Sequence, residues 1–585
     1  MAKSKTETPK SRPGDGSRPA DADRPKKQDG DASSAKSKPG HMPSQAAIRE
    51  TIESVVVAFV LAFLFRTFEA EAFVIPTGSM ATTLMGRHKD LVCPMCGHEY
   101  QASASEEVNQ DGSPSRFAVP IDQCTCPMCR YTAYIGPDNP QDKDYPSYKG
   151  DRILVSKFSY DFYDPERWDV AVFRYPGGAK TNFIKRLVGL PGETIRIEHG
   201  DIFVGHGDGR FAIARKPSNK LLHMLKPVFD NDVAPKIDPY FSPRWKSDET
   251  AGGWKTQDQA SFQTDGVAGG ETWIRYRHLV PSQSQWQSAL HGNQPPAEPL
   301  KPQLISDFSA YNTSCGANEA GPDFDSLGLH WVGDIALKCR LEVLNDTGEA
   351  VLELVEGGRR MQCRINVATG TATLSIDGLE SFRPTAPTAI RGRGPHEVTF
   401  ANVDDQLLLW VDDRLVQFDA PTTYDPLGNV RPEMADLSPV GVASAGGAAL
   451  GANHLEILRD LYYISEGGMG PGQFYFGGSN VISDYIRPSV APEILANPRL
   501  WDASKLKPPA EFVLAEDQFL ALGDNSAKSK DGRLWPREGF DYSVDRHLLI
   551  GEALYIYWPH SWNHVPGTRI PFPFFPNFAR MGFVR

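Results

Sequence analysis

What the chain lacks narrows its function first. There is no surplus of basic charge. The 61 Lys and Arg against 73 Asp and Glu give a formal net charge of -12, so no nucleic-acid partner is expected. No internal repeat is visible. The apolar run at 55–65 falls short of the roughly 20 residues that a bilayer span needs. Histidine is scarce, 14 in 585 residues. The small-residue turn IPTGSM at 75–80 has only His88 near it in sequence. Ser79 in that turn therefore lacks the base that a serine nucleophile most often uses. What is abundant is Gly (52) and Pro (47), which implies many turns and few long helices.

The first 45 residues are almost free of large apolar side chains and are expected to be a disordered tail. Counting back from the run at 55–65 through Ile52 to Ala46 gives the length of one transmembrane helix at 46–66, with Arg49, Glu50 and Glu53 near the interface. A buried core helix or an interfacial helix is the alternative. The 45 polar residues ahead of the run argue against a cleaved leader. Lys26, Lys27, Lys36, Lys38 and Arg49 precede it, which puts the N-terminus in the cytoplasm and the rest outside.

Beyond the run, a mainly β chain is expected. EAFVIP, 151–158, 169–176, 182–197, 511–522 and 547–558 read as strands separated by Gly and Pro turns. Residues 205–305 read as irregular. From about 305 to 465 short strands alternate, as in 334–344, where Ile335, Leu337, Cys339, Leu341 and Val343 take one face and Ala336, Lys338, Arg340 and Glu342 the other. That spacing predicts a β-sandwich.

A serine can work without histidine if a lysine amine is kept neutral, and burial in apolar surroundings does this. NFIKRLVGLPG places Lys185 among Phe183, Ile184, Leu187 and Val188. On a strand Lys185 and Arg186 point to opposite faces, so one is expected inside and the other in solvent. In GDNSAKSKDGR, 523–533, Gly523, Asp524 and Asn525 form a turn signal, and Ser529, Asp531 and Arg533 alternate on one face.

Together IPTGSM, GDRILVSKF, FIKRLVGLPGE and GDNSAKSKDGR resemble the boxes of bacterial type I signal peptidases, over about 46–92, 145–204 and 506–559. The resemblance implies a Ser/Lys endopeptidase of the cell (inner) membrane, with its catalytic domain extracytoplasmic. It would cleave signal peptides from secreted preproteins after small residues at −3 and −1. It implies Ser79 as nucleophile, Lys185 as general base, Thr77 as an oxyanion donor and Ser529 as the hydroxyl that orients the amine. Gly523, Asp524, Asn525, Asp531 and Arg533 would be structural neighbours. Ile75, Met80, Leu84, Phe183 and Ile184 would line the pockets for small side chains. No cofactor is implied for catalysis. Membrane lipid and the Sec translocon are the implied partners. Thr82 departs from the family, which often has Pro there. Ser79 lies about 14 residues beyond the apolar run, a tether of at most roughly 50 Å, and Trp535 and Phe540 are candidates to dip into the membrane interface. A surface binding protein with a non-catalytic core is the alternative.

Two modules interrupt the resemblance. Residues 93–134 carry two C-P-M-C knuckles, Cys93 with Cys96 and Cys126 with Cys129. Four such thiolates fit a structural zinc ribbon, and disulfides are the alternative. Cys124 is a spare thiol or alternative ligand. Residues 205–505 form a large insertion whose strands look similar to concanavalin- or laminin-G-like jelly rolls, so a glycan or protein ligand is one expectation and a spacer role another. Cys339 and Cys363 are candidates to pair, and Cys315 is unassigned. Residues 560–585 are read as a tail.

Overall fold

A computed structural model describes residues 45–64, 70–107, 121–135, 147–178, 180–205, 207, 209–233, 243–247, 253–267, 270–292, 299–316, 328–426, 431–465, 491–501, 508–565 and 570–585. The tail expected at 1–45 falls almost entirely outside them. Contacts divide the chain into Met1–Phe63 and Leu64–Arg585.

The described residues of the first unit belong to the helix Gln45–Leu64, whose last residue falls in the second. Among the described residues no helix is long and apolar enough to cross a membrane. The expected span at 46–66 ends outside the described residues; within Gln45–Leu64 the three charged residues Arg49, Glu50 and Glu53 fall in the N-terminal half. Ile52, Val55, Val56, Val57, Phe59 and Val60 are nevertheless exposed. Three consecutive valines cannot share one face of a helix, so the apolar surface wraps around it.

The second unit is built from antiparallel sheets. One eight-stranded sheet runs in the order Ala70–Val74, Arg152–Ser156, Leu549–Trp558, Val170–Arg174, Asn182–Gly189, Gln518–Leu522, Val544–Asp545, with Gly582–Phe583 flanking Leu549–Trp558. Beside it lies a four-stranded sheet of Phe211–Ile213, Asp201–Gly205, Thr194–Glu198 and Ala510–Val513. The pairing of Thr194 with Val513 closes the core across the whole insertion. The C-terminal segment is not a tail: Val584 N–H bonds the Leu554 carbonyl and Arg580 reaches Asp151 at 2.9 Å.

Asn182–Gly189 is buried from Ile184 to Gly189. One apolar cluster holds Ile75, Ile153, Val155 and Ile184, and a second holds Phe173, Leu187, Phe519 and Trp535. With both faces covered, neither Lys185 nor Arg186 is solvated, which corrects the expected split between them.

A second eight-stranded sheet and a seven-stranded one share the most extensive apolar cluster, with Leu337, Leu341 and Phe400 from the first and Leu352, Ile365 and Val442 from the other. Their strands run from Lys226–Asp230 to Leu450–Arg459. The expected boundary near 305 is therefore too late. Lys226–Asp230, Trp245–Ser247, Phe262–Thr264 and Thr272–Tyr276 are too short to show an alternation in sequence. Ala336 was expected on the polar face but is buried under Leu221 and Leu225, because the short helix Ser218–Met224 covers that face. Cys339 and Cys363 are free, on strands of different sheets, and burial pushes the Cys339 thiol up to about 12.

Candidate active site

The turn that carries Ser79 is a single 3-10 turn, Gly78–Met80, entered from the extended Thr77. It is pinned from below. Asn525 N–H donates to the Ser79 carbonyl at 3.1 Å, and Asn525 Nδ2 donates to the Gly78 carbonyl at 3.0 Å. Gly523 allows this approach: a Cβ there would lie 2.2 Å from Ser529 Oγ and 2.4 Å from the Ser79 carbonyl. Gly78 is equally constrained, since a Cβ would meet the Tyr311 ring at 2.1 Å.

Lys185 Nζ lies 2.7 Å from Ser79 Oγ and donates to the Ile184 carbonyl at 2.9 Å. Ser79 is 8 % and Lys185 3 % exposed. Burial pulls the Lys185 amine down to about 8, against the raising influence of Asp531 and Asp524. The pair thus has a hydroxyl and an amine in contact, both dry, with an amine that loses its proton far more readily than an exposed lysine.

The loop at 523–533 braces this arrangement. Asp524 receives a two-point ion pair from Arg186, at 2.8 Å from Nε and 2.7 Å from Nη2, and also accepts from Thr83 at 2.6 Å. Both ends of that pair are fully buried. Asp531 accepts from the Gly523 N–H at 3.0 Å and pairs with Arg533 at 2.8 and 2.7 Å. Desolvation opposes ionisation of both carboxyls, but the guanidiniums prevail and hold them below the usual carboxylate range. Ser529 is buried and its hydroxyl makes no hydrogen bond with the amine; the acceptor that fixes Lys185 is the Ile184 carbonyl.

The expected pocket residues separate. Ile75, Met80, Leu84 and Ile184 share one apolar cluster, and Met80 and Leu84 are fully buried, so they support a wall rather than face a ligand. Phe183 stacks on Tyr175 at 4.6 Å between ring centres. Trp535, expected at a membrane interface, is fully buried against Phe173 and Tyr175, while Phe540 is 37 % exposed.

Sequence reasoning missed two residues, both from the insertion. Asn312 exchanges two amide hydrogen bonds with Asn525, each 2.8 Å. Tyr311, packed on Gly78, donates to the Arg87 carbonyl at 3.2 Å. Neither carries a sequence signal, because their partners lie more than two hundred residues away.

In the cysteine module the four knuckle thiols converge within 4.8 Å of one another. Cys93 and Cys129 sulfurs are 3.5 Å apart, and those of Cys96 and Cys126 3.6 Å apart. These separations are too long for disulfides and close to the edge of about 3.8 Å that a tetrahedron with 2.3 Å metal–sulfur bonds requires. All eight cysteines are free in this structure. Cys124 is held apart by the Tyr100 hydroxyl at 3.1 Å.

Residues 142–229 match the family described as "Signal peptidase, peptidase S26". The segment includes Lys185 but neither Ser79 nor 523–533. Signal peptidase I of Pseudomonas fluorescens and that of Pseudomonas aeruginosa are each 49 % identical over 59 residues, covering 8 % of this chain and 21 % of theirs. Signal peptidase I V of Bacillus subtilis is 39 % identical over 56 residues, 10 % of this chain and 32 % of its own. The chain thus spans about a fifth to a third of the length of these relatives. Among solved structures, a carbohydrate binding module from Bacillus subtilis is 10 % identical, covering 37 % of this chain and 97 % of its own, with a TM-score of 0.21. A Caenorhabditis elegans galectin is 8 % identical, covering 21 % and 83 %, with a TM-score of 0.16.

Proposed function

We propose that this chain is a Ser/Lys endopeptidase that removes N-terminal signal peptides from secreted preproteins after small side chains. The observation that carries the reading is the 2.7 Å contact between a buried Lys185 amine and Ser79 Oγ. The likeness of 142–229 to signal peptidases supports the substrate class.

The neutral Lys185 amine takes the Ser79 proton as Oγ attacks the scissile carbonyl carbon. The oxyanion so formed takes a hydrogen bond from the Ser79 N–H. That donor sits in the first turn of Gly78–Met80, where N–H groups have no partner within the turn. The Thr77 hydroxyl, at the residue entering that turn, is the second donor. The Lys185 ammonium then protonates the leaving amine, and the acyl group stays on Ser79. Once neutral again, Lys185 draws a proton from water, which releases the acyl group and restores Ser79. The Ile184 carbonyl aims the amine through both halves. Ser529, buried beside the Ser79 carbonyl, keeps a hydroxyl available to it as its charge changes.

The four knuckle cysteines would hold one structural zinc ion, since four thiolates leave no open position for water. The exposed apolar surface of Gln45–Leu64 would lie in lipid and keep the enzyme where secreted chains emerge. Glycan or protein capture by the two-sheet module, and contact with the Sec translocon, are subordinate to this reading. Incubation of the full chain in detergent with a model preprotein tests it. Cleavage at a site with small residues at −3 and −1 is expected, and cleavage that survives Ser79→Ala overturns it.

A further inference from the structure

A cavity of about 300 Å³ lies behind the nucleophile turn, where all three modules meet. Ala81, Thr82 and Asn525 reach it from the core, Arg130 from the second cysteine knuckle, and Lys226 and Arg459 from one sheet of the insertion. Neither Ser79 nor Lys185 lines it.

Among the described residues none of the three basic groups there is in a salt bridge, although Asp307 and Asp460 attract Arg459 and Asp524 attracts Lys226 from farther away. Lys226 and Arg459 sit directly opposite each other on paired antiparallel strands, an arrangement that like charges destabilise. Lys226 is buried and donates to the Thr83 hydroxyl at 2.9 Å. Among the described residues Arg459 donates to the carbonyls of Asp460, Asp307 and Phe308. The Arg130 guanidinium lies 3.4 Å over the Phe308 ring, and its buried Nε meets no acceptor. The acids at the cavity are already committed. Asp307 is paired with His330 at 2.9 Å and Asp524 with Arg186, while Glu99 is exposed at the margin.

Arg130 also occupies an uncomfortable backbone position. Its φ is 64°, and the equivalent place in the twin knuckle is Gly97, at φ 77°. A non-glycine residue is strained there, so the chain bears that strain to aim a guanidinium into the cavity. The remaining walls are apolar, with Pro127, Pro227, Val228 and Leu461.

We infer that this cavity binds an organic anion, a carboxylate or phosphate on an apolar body, through Arg130, Lys226 and Arg459. Burial draws the Lys226 amine down to about 8, so an anion there would favour its charged form beside Arg459 and would give Arg130 its missing acceptor. The site does not depend on the peptidase reading, because its readout is binding.

Calorimetric titration of the full chain with benzoate, phenyl phosphate and inorganic phosphate tests it and separates carboxylate from phosphate sources. Saturable one-to-one binding of at least one organic anion is expected. Affinity should fall about tenfold or more in Arg130→Gly, which suits the left-handed backbone, and in Lys226→Met. Lys255→Gln, at an exposed site elsewhere, should leave it unchanged. Metal content of Arg130→Gly reports whether the knuckle is intact. If either variant misfolds, the wild-type melting temperature decides: a rise with phenyl phosphate or benzoate beyond that in chloride of equal ionic strength supports the site. No saturable binding, no such rise, or undiminished affinity in folded Arg130→Gly and Lys226→Met overturns it.

Discussion

Lys185 Nζ and Ser79 Oγ stand 2.7 Å apart although 106 positions separate them in the chain. If this contact is the catalytic dyad, Ser79→Ala and Lys185→Met should each lower preprotein cleavage on the order of 10⁴-fold or more. Lys185→Met keeps the volume and removes a buried amine, so its melting temperature should hold or rise. Mass spectrometry of the cleaved preprotein together with calorimetry separates the two effects. Ordinary turnover in either variant is incompatible with the dyad.

The Asn312–Asn525 amide pair ties the insertion to the turn under Ser79. Asn312→Ala strands both amide groups of Asn525 on that side, at a cost of about 1–3 kcal/mol. Because Asn525 also holds the Gly78 and Ser79 carbonyls, the nucleophile should lose its position. We expect kcat to fall roughly 10- to 100-fold, with KM little changed. A change in KM alone would mean that Asn312 acts on substrate rather than on the turn.

How much of this was legible depends on the range of each signal. Ser79, Lys185, Asp531 and Arg533 sit in short segments whose residue types state their chemistry, and the fold brings those segments together. Asn312 lies in an ordinary polar stretch, Tyr-Asn-Thr-Ser, and acquires meaning only from a partner 213 positions away. Arg186 was misjudged because strand alternation tells which residues share a face, not whether the other face is covered. The short strands of 226–276 escaped notice for lack of length. The helix Gln45–Leu64 is legible as a helix from its apolar run, and Arg49, Glu50 and Glu53 are the charges within it.

Metal should be stoichiometric and structural. The full chain is expected to carry one zinc ion, read by plasma emission spectrometry, and Cys126→Ser should reduce that to a small fraction. Chelation should lower the melting temperature, because binding of the ion is part of folding the module. An unchanged melting curve after complete metal removal would leave the four thiols without a structural role.

Arg186 and Asp524 form a fully buried ion pair beneath the turn. Arg186→Met leaves an uncompensated carboxylate and should cost about 3–5 kcal/mol. The double variant Arg186→Met with Asp524→Leu removes both charges and should regain most of that loss. Calorimetric melting of the three variants reads the coupling. A double variant no more stable than the worse single one would show that the pair is not the unit that matters.

The pH dependence follows from the environment of Lys185. Its amine, brought down to about 8 by burial, must be neutral to take the Ser79 proton. Below that value it is protonated and the serine has no base. The logarithm of kcat/KM should therefore rise with unit slope up to about pH 8 and then level. Asp524 and Asp531 are held below the usual carboxylate range, so neither titrates on this limb. Asp531 raises the amine and Arg533 lowers it. Asp531→Asn removes the raising charge and leaves the lowering one uncompensated, so both consequences move the limb to lower pH. A limb that moves upward in Asp531→Asn, or one that stays fixed, would assign the titration to a group other than Lys185.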